Sequence, residues 1–122
     1  MNKGGSIEKY LESKFVEWCK SVRTVAVKGP AQMYKGIPDR IVALPDGGGT
    51  VWVEFKGGTS YQLQPMQMHW RDLLERSNPN RYFVVDTKED LDALIKQCEA
   101  FMRIGAENCE KELALLDNDN KM

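Results

Sequence analysis

Apolar and polar residues alternate with a helical period at the start of the chain and form strand-like runs after it. From Ser6 to Val22 the apolar residues recur at helical spacing, which predicts an amphipathic helix. The stretch Thr24–Val27 predicts a short strand. The next segment, Lys28–Pro38, contains two glycines and two prolines and is therefore predicted to be a loop.

Two strand-like runs follow this loop and predict a β-hairpin. Asp39–Leu44 and Val51–Lys56 are joined by Pro45–Thr50, whose Pro-Asp-Gly-Gly-Gly sequence is typical of a tight turn. The expected register pairs Leu44 with Val51. Both runs are apolar at nearly every position outside their ends, a pattern that predicts central strands covered on both faces.

The second half of the chain continues with helices and one more strand. Gly57–Leu63 predicts a loop, and Pro65 suits the first position of a helix that ends near Arg76. Arg81–Val85 predicts a strand, and the helix after it is expected to be interrupted at Gly105 before a last helical stretch. The order helix, strand, hairpin, helix, strand, helix indicates one α/β domain.

Length and composition narrow the class of protein. A chain of 122 residues has the size of one domain, and 42% hydrophobic with 29% charged residues excludes a disordered or fibrous protein. No apolar run approaches the roughly 20 residues that span a bilayer. The first residues lack the apolar stretch of a signal peptide. We therefore expect a cytoplasmic protein without a membrane segment.

Charge is distributed unevenly, although the net charge is only −1. Residues 20–40 carry five basic side chains against one acid, whereas residues 101–122 carry five acids against three basic side chains. The basic segment suits phosphate contact, and a solvated face is the alternative interpretation. The three cysteines, Cys19, Cys98 and Cys109, have no metal-binding spacing, so we expect reduced and mainly buried thiols.

Three charged residues at the open end of the hairpin form the candidate site. Side chains alternate between the two faces of a strand, so the expected register places Asp39, Glu54 and Lys56 on one face. A slip of one residue would move Asp39 to the opposite face. The alternative is that Glu54 and Lys56 are ordinary surface charges on the solvated face of a strand.

The chemistry of this trio favours phosphodiester hydrolysis. Two carboxylates held together repel each other, and a divalent cation offsets that repulsion. Mg²⁺ binds a few carboxylate oxygens and leaves positions for water and phosphate oxygen. A neighbouring lysine can orient the attacking water and stabilise the charge that develops on the phosphate.

The motif and its surroundings resemble a known family. Gly36–Asp39, Glu54–Lys56 and Pro65–Gln67 are similar to the G-[VI]-P-D element, the E-x-K strand and the helical glutamine of the VRR-NUC branch of the PD-(D/E)xK nuclease superfamily. The similarity is to standalone, phage-type members. It implies a restriction-endonuclease-like core, in which helices flank a mixed central sheet that contains the β-hairpin. Residues 1–97 would form the nuclease domain and residues 98–122 a helical, acidic C-terminal extension of it.

The resemblance also implies an activity, a metal and a substrate. Family members of this type are Mg²⁺- or Mn²⁺-dependent DNA endonucleases, structure-selective on branched DNA such as Holliday junctions or flaps, and active as homodimers. For a phage-encoded protein the location would be the host cytoplasm. An exposed apolar face within Phe101–Leu116 agrees with a dimer. The alternatives are a catalytically inactive nucleic-acid-binding module of the same fold and an interaction subunit that docks a partner through its acidic C-terminal helix.

Residue roles follow from the same resemblance. The implied metal ligands are Glu8, Asp39, Glu54 and the backbone carbonyl of Phe55. Glu12, one turn after Glu8, is the alternative helix carboxylate. Lys56 would position the attacking water, and Gln67 would hold the geometry of the site or contact the substrate.

Four further residues around the motif are predicted to contact DNA. Lys28, Tyr34 and Lys35 lie in the loop before the motif, and Arg40 follows Asp39 directly. Their positions suit phosphate contact. A solvated loop with no role in binding is the alternative.

Overall fold

The computed structural model describes residues 3–57 and 62–120. Its elements are α1 (Lys3–Ser21), β1 (Ala26–Lys28), β2 (Arg40–Leu44), β3 (Gly49–Phe55), α2 (Pro65–Ser77), β4 (Tyr82–Val85) and α3 (Lys88–Asn120). Their order confirms the sequence prediction. Most of the predicted loop Gly57–Leu63 lies outside the described residues. Within residues 3–57 and 62–120, no helix combines the length and apolar character needed to cross a bilayer.

The four strands form one mixed sheet in the order β1-β2-β3-β4. The pairs β1–β2 and β2–β3 are antiparallel, and β3–β4 is parallel. A parallel pair needs a crossover connection, and α2 provides it between β3 and β4. The mixed sheet with its hairpin and flanking helices confirms the predicted fold class.

The hairpin register differs from the prediction by two residues. Leu44 pairs with Gly49, not with Val51, and Val51 pairs with Val42. The reason is the turn: Asp46 and Gly47 both have positive φ, 59° and 74°, as in the two-residue type I′ turn. This turn is shorter than the expected six-residue connection and lets the strands pair further toward it. A shift of two residues keeps every side chain on its predicted face.

The hydrophobic core lies on one face of the sheet, between the strands and the helices α1 and α3. Phe15 of α1 packs on Phe55 of β3 with 6.0 Å between ring centroids. The buried apolar residues of this core are Leu11, Phe15, Cys19, Ala26, Val42, Leu44, Val51, Val53, Phe55, Val85, Leu91, Leu94 and Cys98. All three cysteines are free, with Cys19 and Cys98 buried and Cys109 exposed.

The opposite face of the sheet is less covered than the apolar pattern predicts. Ile41 and Trp52 are half-buried there, and Ala43 is exposed. Helix α2 contacts β4 and reaches the site end of β3, but it does not cover the hairpin. The prediction that both faces of the hairpin are covered is therefore wrong for this face.

Helix α3 is continuous from Lys88 to Asn120, so the predicted interruption at Gly105 is wrong. Gly105 is buried, and a Cβ atom there would overlap the backbone of Asp46 and Gly47. The glycine is therefore the point at which α3 packs directly on the hairpin turn. The helix also crosses position 97 without a break, and the division of the chain into residues 1–97 and 98–122 stays a prediction.

Substituting Gly105 by alanine should destabilise the protein although alanine is the better helix former. The added methyl group has backbone atoms in its way, and overpacking of this kind costs about 1–3 kcal/mol. The free energy of unfolding, measured in urea, should fall by that amount. Glu107→Ala, two residues further along the same helix and exposed, is the matched control and should change stability by less than about 0.5 kcal/mol. An unchanged stability for Gly105→Ala would contradict the close contact with the turn.

Candidate active site

Asp39 and Glu54 lie side by side at the open end of the hairpin. The last β2–β3 pair is Arg40 with Val53, so Asp39 comes one position further, next to Glu54. The Asp39 carboxylate accepts a hydrogen bond from the backbone N–H of Phe55 at 2.8 Å. The two carboxylates are therefore adjacent on the face predicted from strand alternation, and the backbone of Phe55 lies beside them.

The Glu54 carboxyl group is buried, with only 3% of the residue exposed. One oxygen, Oε1, accepts a hydrogen bond from Nε2 of Gln67 at 3.1 Å, whereas Oε2 is buried without a hydrogen-bond partner. Burial, followed by the charge of Asp39, raises the pKa of Glu54 to about 9, and Lys56 acts in the opposite direction. A buried acceptor without a partner costs about 1–3 kcal/mol.

Gln67, in the first turn of α2, connects the side chain of Glu54 in β3 with that of Lys56, which directly follows β3. Its Oε1 accepts hydrogen bonds from Nζ of Lys56 at 2.9 Å and from the backbone N–H of Gln64 at 2.8 Å. Its Nε2 donates to Glu54. Because Oε1 takes two donors and Nε2 takes an acceptor, the orientation of the amide is fixed.

Helix α1 contributes two glutamates in different environments. Glu8 is half-buried, and its pKa is raised by burial and by Asp39 and lowered by Lys56. Glu12 instead accepts from Nε of Arg40 at 2.8 Å, and Arg40 also donates to the carbonyl of Ala26 at 2.8 Å. Of the two candidates, Glu8 is the one whose pKa is shifted by Asp39 and Lys56, whereas Glu12 is hydrogen-bonded to Arg40.

The donor set fits a divalent cation of the Mg²⁺ type. Asp39 and Glu54 supply carboxylate oxygens, and the unpartnered Oε2 of Glu54 is a buried acceptor that a cation would satisfy. Among the residues that the structure describes, no group of three or more His, Cys, Asp or Glu side chains could hold a metal ion. Mg²⁺ commonly uses one or two carboxylates and keeps several waters, so a pair is sufficient. The ligand roles of Glu8 and of the Phe55 carbonyl stay predictions.

The loop between β1 and β2 is closed and anchored next to this site. The backbone N–H of Gly29 donates to the carbonyl of Asp39 at 2.9 Å. Trp70 of α2 donates through Nε1 to the carbonyl of Lys35 at 3.1 Å, and its ring meets Tyr34 edge-on at 6.1 Å. Sequence analysis did not identify Trp70 as a loop anchor, because nothing in a spacing of 35 residues signals the contact.

The four residues predicted to contact DNA differ in how exposed they are. Lys28, Tyr34 and Lys35 are exposed, and Lys28 lines a cavity of about 580 Å³ that Asp39 and Glu12 also line. Arg40 is half-buried, with its guanidinium engaged by Glu12 and β1. Three of the four residues are therefore free to meet a phosphate next to the site. The DNA-binding role of all four stays a prediction.

The mixed sheet, its crossover helix and the Asp-Glu-Lys end of its hairpin together have the organisation of a nuclease domain. Among solved structures, the chain is similar to a domain described as a VRR_NUC domain, with a TM-score of 0.61 and 26% sequence identity. The match covers 79% of this chain and 97% of that one. The chain therefore has the fold of a VRR-NUC nuclease domain over most of its length, which confirms the resemblance. Neither the family models nor the curated proteins give a match to the sequence.

Proposed function

We propose that this protein is a divalent-metal-dependent deoxyribonuclease that hydrolyses phosphodiester bonds in branched DNA. One observation carries the proposal: buried Glu54 lies beside Asp39, and Gln67 holds Glu54 and Lys56 in one hydrogen-bonded unit. Burying the Glu54 carboxylate beside the half-buried carboxylate of Asp39 is unfavourable for a protein without a use for them. A site built at this cost supports catalysis over the alternative of an inactive binding module.

The metal of this proposal is Mg²⁺ or Mn²⁺. Asp39 and Glu54 would hold it, assisted by the carbonyl of Phe55, and the nearby Glu8 carboxylate would add negative charge to the site. These are oxygen donors, which hard divalent cations prefer. When bound, the cation supplies Lewis acidity toward a phosphate oxygen and offsets the repulsion between the carboxylates.

Lys56 supplies the fixed positive charge of the reaction. Its ammonium group is held by Gln67 at 2.9 Å and therefore needs little reorganisation to orient the attacking water by hydrogen bonding. The same charge stabilises the additional negative charge of the phosphate as water adds to phosphorus and the P–O bond to the leaving strand breaks. Gln67 contributes by fixing Lys56 relative to Glu54.

DNA binding in this proposal uses the exposed side of the anchored loop. Lys28 and Lys35 contact backbone phosphates, and Tyr34 lies between the loop and α2 where a base or sugar can pack on it. Arg40 contributes mainly positive potential, because Nε and Nη1 of its guanidinium are already hydrogen-bonded to Glu12 and to Ala26 of β1. Two copies acting together would place two sites on one branched substrate, which favours a homodimer as the active form.

A cleavage panel tests the proposal. Labelled four-way junction, flap, nicked duplex and single strand are incubated with the protein and Mg²⁺, Mn²⁺ or EDTA, and products are resolved by length. We expect metal-dependent cutting with the branched substrates cut fastest. Calorimetry without DNA measures metal binding separately. Absence of both cleavage and metal binding would favour the inactive binding module, whereas equal cutting of all substrates would remove only the selectivity.

Gln67→Ala should slow cleavage by about 10-fold to 100-fold without abolishing metal binding. The substitution frees Lys56 and leaves Oε1 of Glu54 without its donor, so the pKa of Glu54 should rise further and the pH profile of cleavage should move upward. Single-turnover rates across pH measure both effects. Gln97→Ala on exposed α3 is the control. A slower rate with an unshifted pH profile would show that Gln67 does not act through Glu54.

A further inference from the structure

A cavity of about 580 Å³ lies between helix α1 and the loop that connects β1 with β2. We call it the loop cavity, and its lining includes Glu12, Lys28, Ala31, Gln32, Met33 and Asp39. This volume is within the roughly 300–1,000 Å³ that is common for sites of small organic ligands, so a single nucleotide fits. Because Asp39 lines the loop cavity, a ligand inside it lies next to the proposed metal site.

The loop wall of this cavity is fixed before any ligand binds. At its base, the backbone N–H of Gly29 donates to the carbonyl of Asp39 at 2.9 Å. Within the loop, the N–H of Met33 donates to the carbonyl of Pro30 at 3.0 Å, and the Trp70 side chain of α2 holds the far end of the loop. A preformed wall loses little conformational freedom on binding and therefore suits a specific ligand.

The charges of the lining disfavour a phosphate group inside the loop cavity. Of the described residues that line it, only Lys28 is basic, whereas Glu12 and Asp39 are acidic. A phosphate in the cavity would therefore meet two residues of like charge. The carboxylate of Glu12 is also paired with Arg40 at 2.8 Å, which fixes its position and offsets its charge. An uncharged ligand is favoured, and the exposed Lys28 stays available for a phosphate outside the cavity.

The other lining residues have the chemistry of a nucleobase site. Pro30, Ala31 and Met33 are apolar, and Met33, at 78%, is the most exposed large apolar side chain of the described residues. The polarisable side chain of methionine packs well on an aromatic ring. Gln32 offers both donors and an acceptor, and the carboxylate of Glu12 can accept from an exocyclic amino group. The lining can therefore bind both the face and the edge of a base.

We propose that the loop cavity binds one unpaired nucleobase of the DNA, next to the phosphate that is cut. Met33 packs on the face of the base, and Gln32 and Glu12 bind its edge. Lys28 contacts an adjacent phosphate. This role of the cavity rests on the proposed function, since it takes DNA as the substrate. A base that is already unpaired enters at the lowest cost, so a bulge without any branch is recognised as well as a flap.

Binding in EDTA, where the proposed reaction cannot proceed, tests the cavity separately from cleavage. Fluorescence anisotropy compares a labelled duplex that has one unpaired nucleotide at its centre with the same duplex fully paired. The unmodified protein should bind the bulged duplex about tenfold more tightly, as expected for one base packed on a side chain. Ala31→Trp fills the cavity and should reduce this preference to about twofold or less, with the affinity for the paired duplex unchanged. Ala114→Trp, exposed on α3, is the matched control and should keep the preference.

Two further measurements identify the contact. Gln32→Ala with Met33→Ala should remove most of the preference, whereas Met68→Ala, also exposed but on α2, should not. The fluorescent adenine analogue 2-aminopurine brightens when it leaves the base stack. Placed at the unpaired position, it should brighten when the unmodified protein binds and stay dim when Ala31→Trp binds.

Equal affinity for the two duplexes, or binding of neither, would overturn the proposed role of the cavity. An Ala31→Trp protein that keeps both the preference and the fluorescence change would overturn it as well. A preference for the bulge without cleavage in the presence of metal would refute the nuclease proposal and leave the cavity as a base-binding site. Metal-dependent cleavage without the preference would refute the cavity alone.

Discussion

Lys56→Ala should lower the rate of metal-dependent cleavage by about 10²–10³-fold, the loss typical of removing one preorganised charge-stabilising group. Lys56 is half-buried and fixed by Gln67, so no other lysine of the described chain can take its place without rebuilding that contact. Single-turnover cleavage of a four-way junction measures the loss. Lys96→Ala, exposed on α3, is the matched control and should cleave at the unmodified rate.

Metal binding should respond differently from cleavage in the same variant. Lys56 lowers the pKa of Glu54, so its removal makes Glu54 harder to ionise and moves the pH dependence of metal affinity upward. Calorimetric titration with Mn²⁺ at several pH values should show binding that is retained but needs a higher pH. A Lys56→Ala protein that cleaves within threefold of the unmodified rate would remove Lys56 from the proposed chemistry.

Glu54→Gln should abolish metal binding and remove the main pH dependence of stability of the metal-free protein. The pKa of Glu54 is raised in the folded state to about 9 from 4.5. The folded protein therefore holds this proton more tightly than the unfolded chain does. Its contribution to stability is complete below about pH 4.5 and is lost as the pH rises toward 9. The loss is on the order of a few kcal/mol, at about 1.4 kcal/mol per pKa unit.

Urea unfolding in EDTA between pH 5 and pH 9 measures this effect. The free energy of unfolding of the unmodified protein should fall with pH, while that of Glu54→Gln should stay nearly flat. Glu99→Gln, exposed on α3, should follow the unmodified protein. Parallel pH profiles for Glu54→Gln and the unmodified protein would mean that Glu54 ionises normally, and the coupling between Glu54 and Asp39 would then be absent.

The candidate trio was predictable from local pattern because strand alternation depends only on parity. Asp39, Glu54 and Lys56 fall on one face for every register that differs by an even number of residues. The actual register was not predictable with the same certainty, since it depends on whether Asp46-Gly47 alone forms the turn. The type I′ conformation of that dipeptide moved every pair by two positions and left the faces unchanged.

The features that sequence analysis missed are contacts between distant segments. Glu8 and Glu12 share one side of α1, so spacing could not predict which of them pairs with Arg40, and in the structure it is Glu12. Gly105 has the sequence signature of a helix break, yet its missing side chain serves packing against the hairpin turn. Both outcomes depend on tertiary geometry, which overrides local propensity.

The hydrogen bond from the backbone N–H of Gln64 to Gln67 makes that amide a reporter on the candidate site. The amide proton of Gln64 is bonded to the same oxygen that holds Lys56. Opening of the first turn of α2 would break the hydrogen bonds of Gln64 and Lys56 to Gln67 together. The hydrogen-exchange rate of the Gln64 amide therefore measures how often Lys56 loses its contact with Gln67. Ligands that tighten the site should slow this exchange, and their effect could be followed without any substrate being cut.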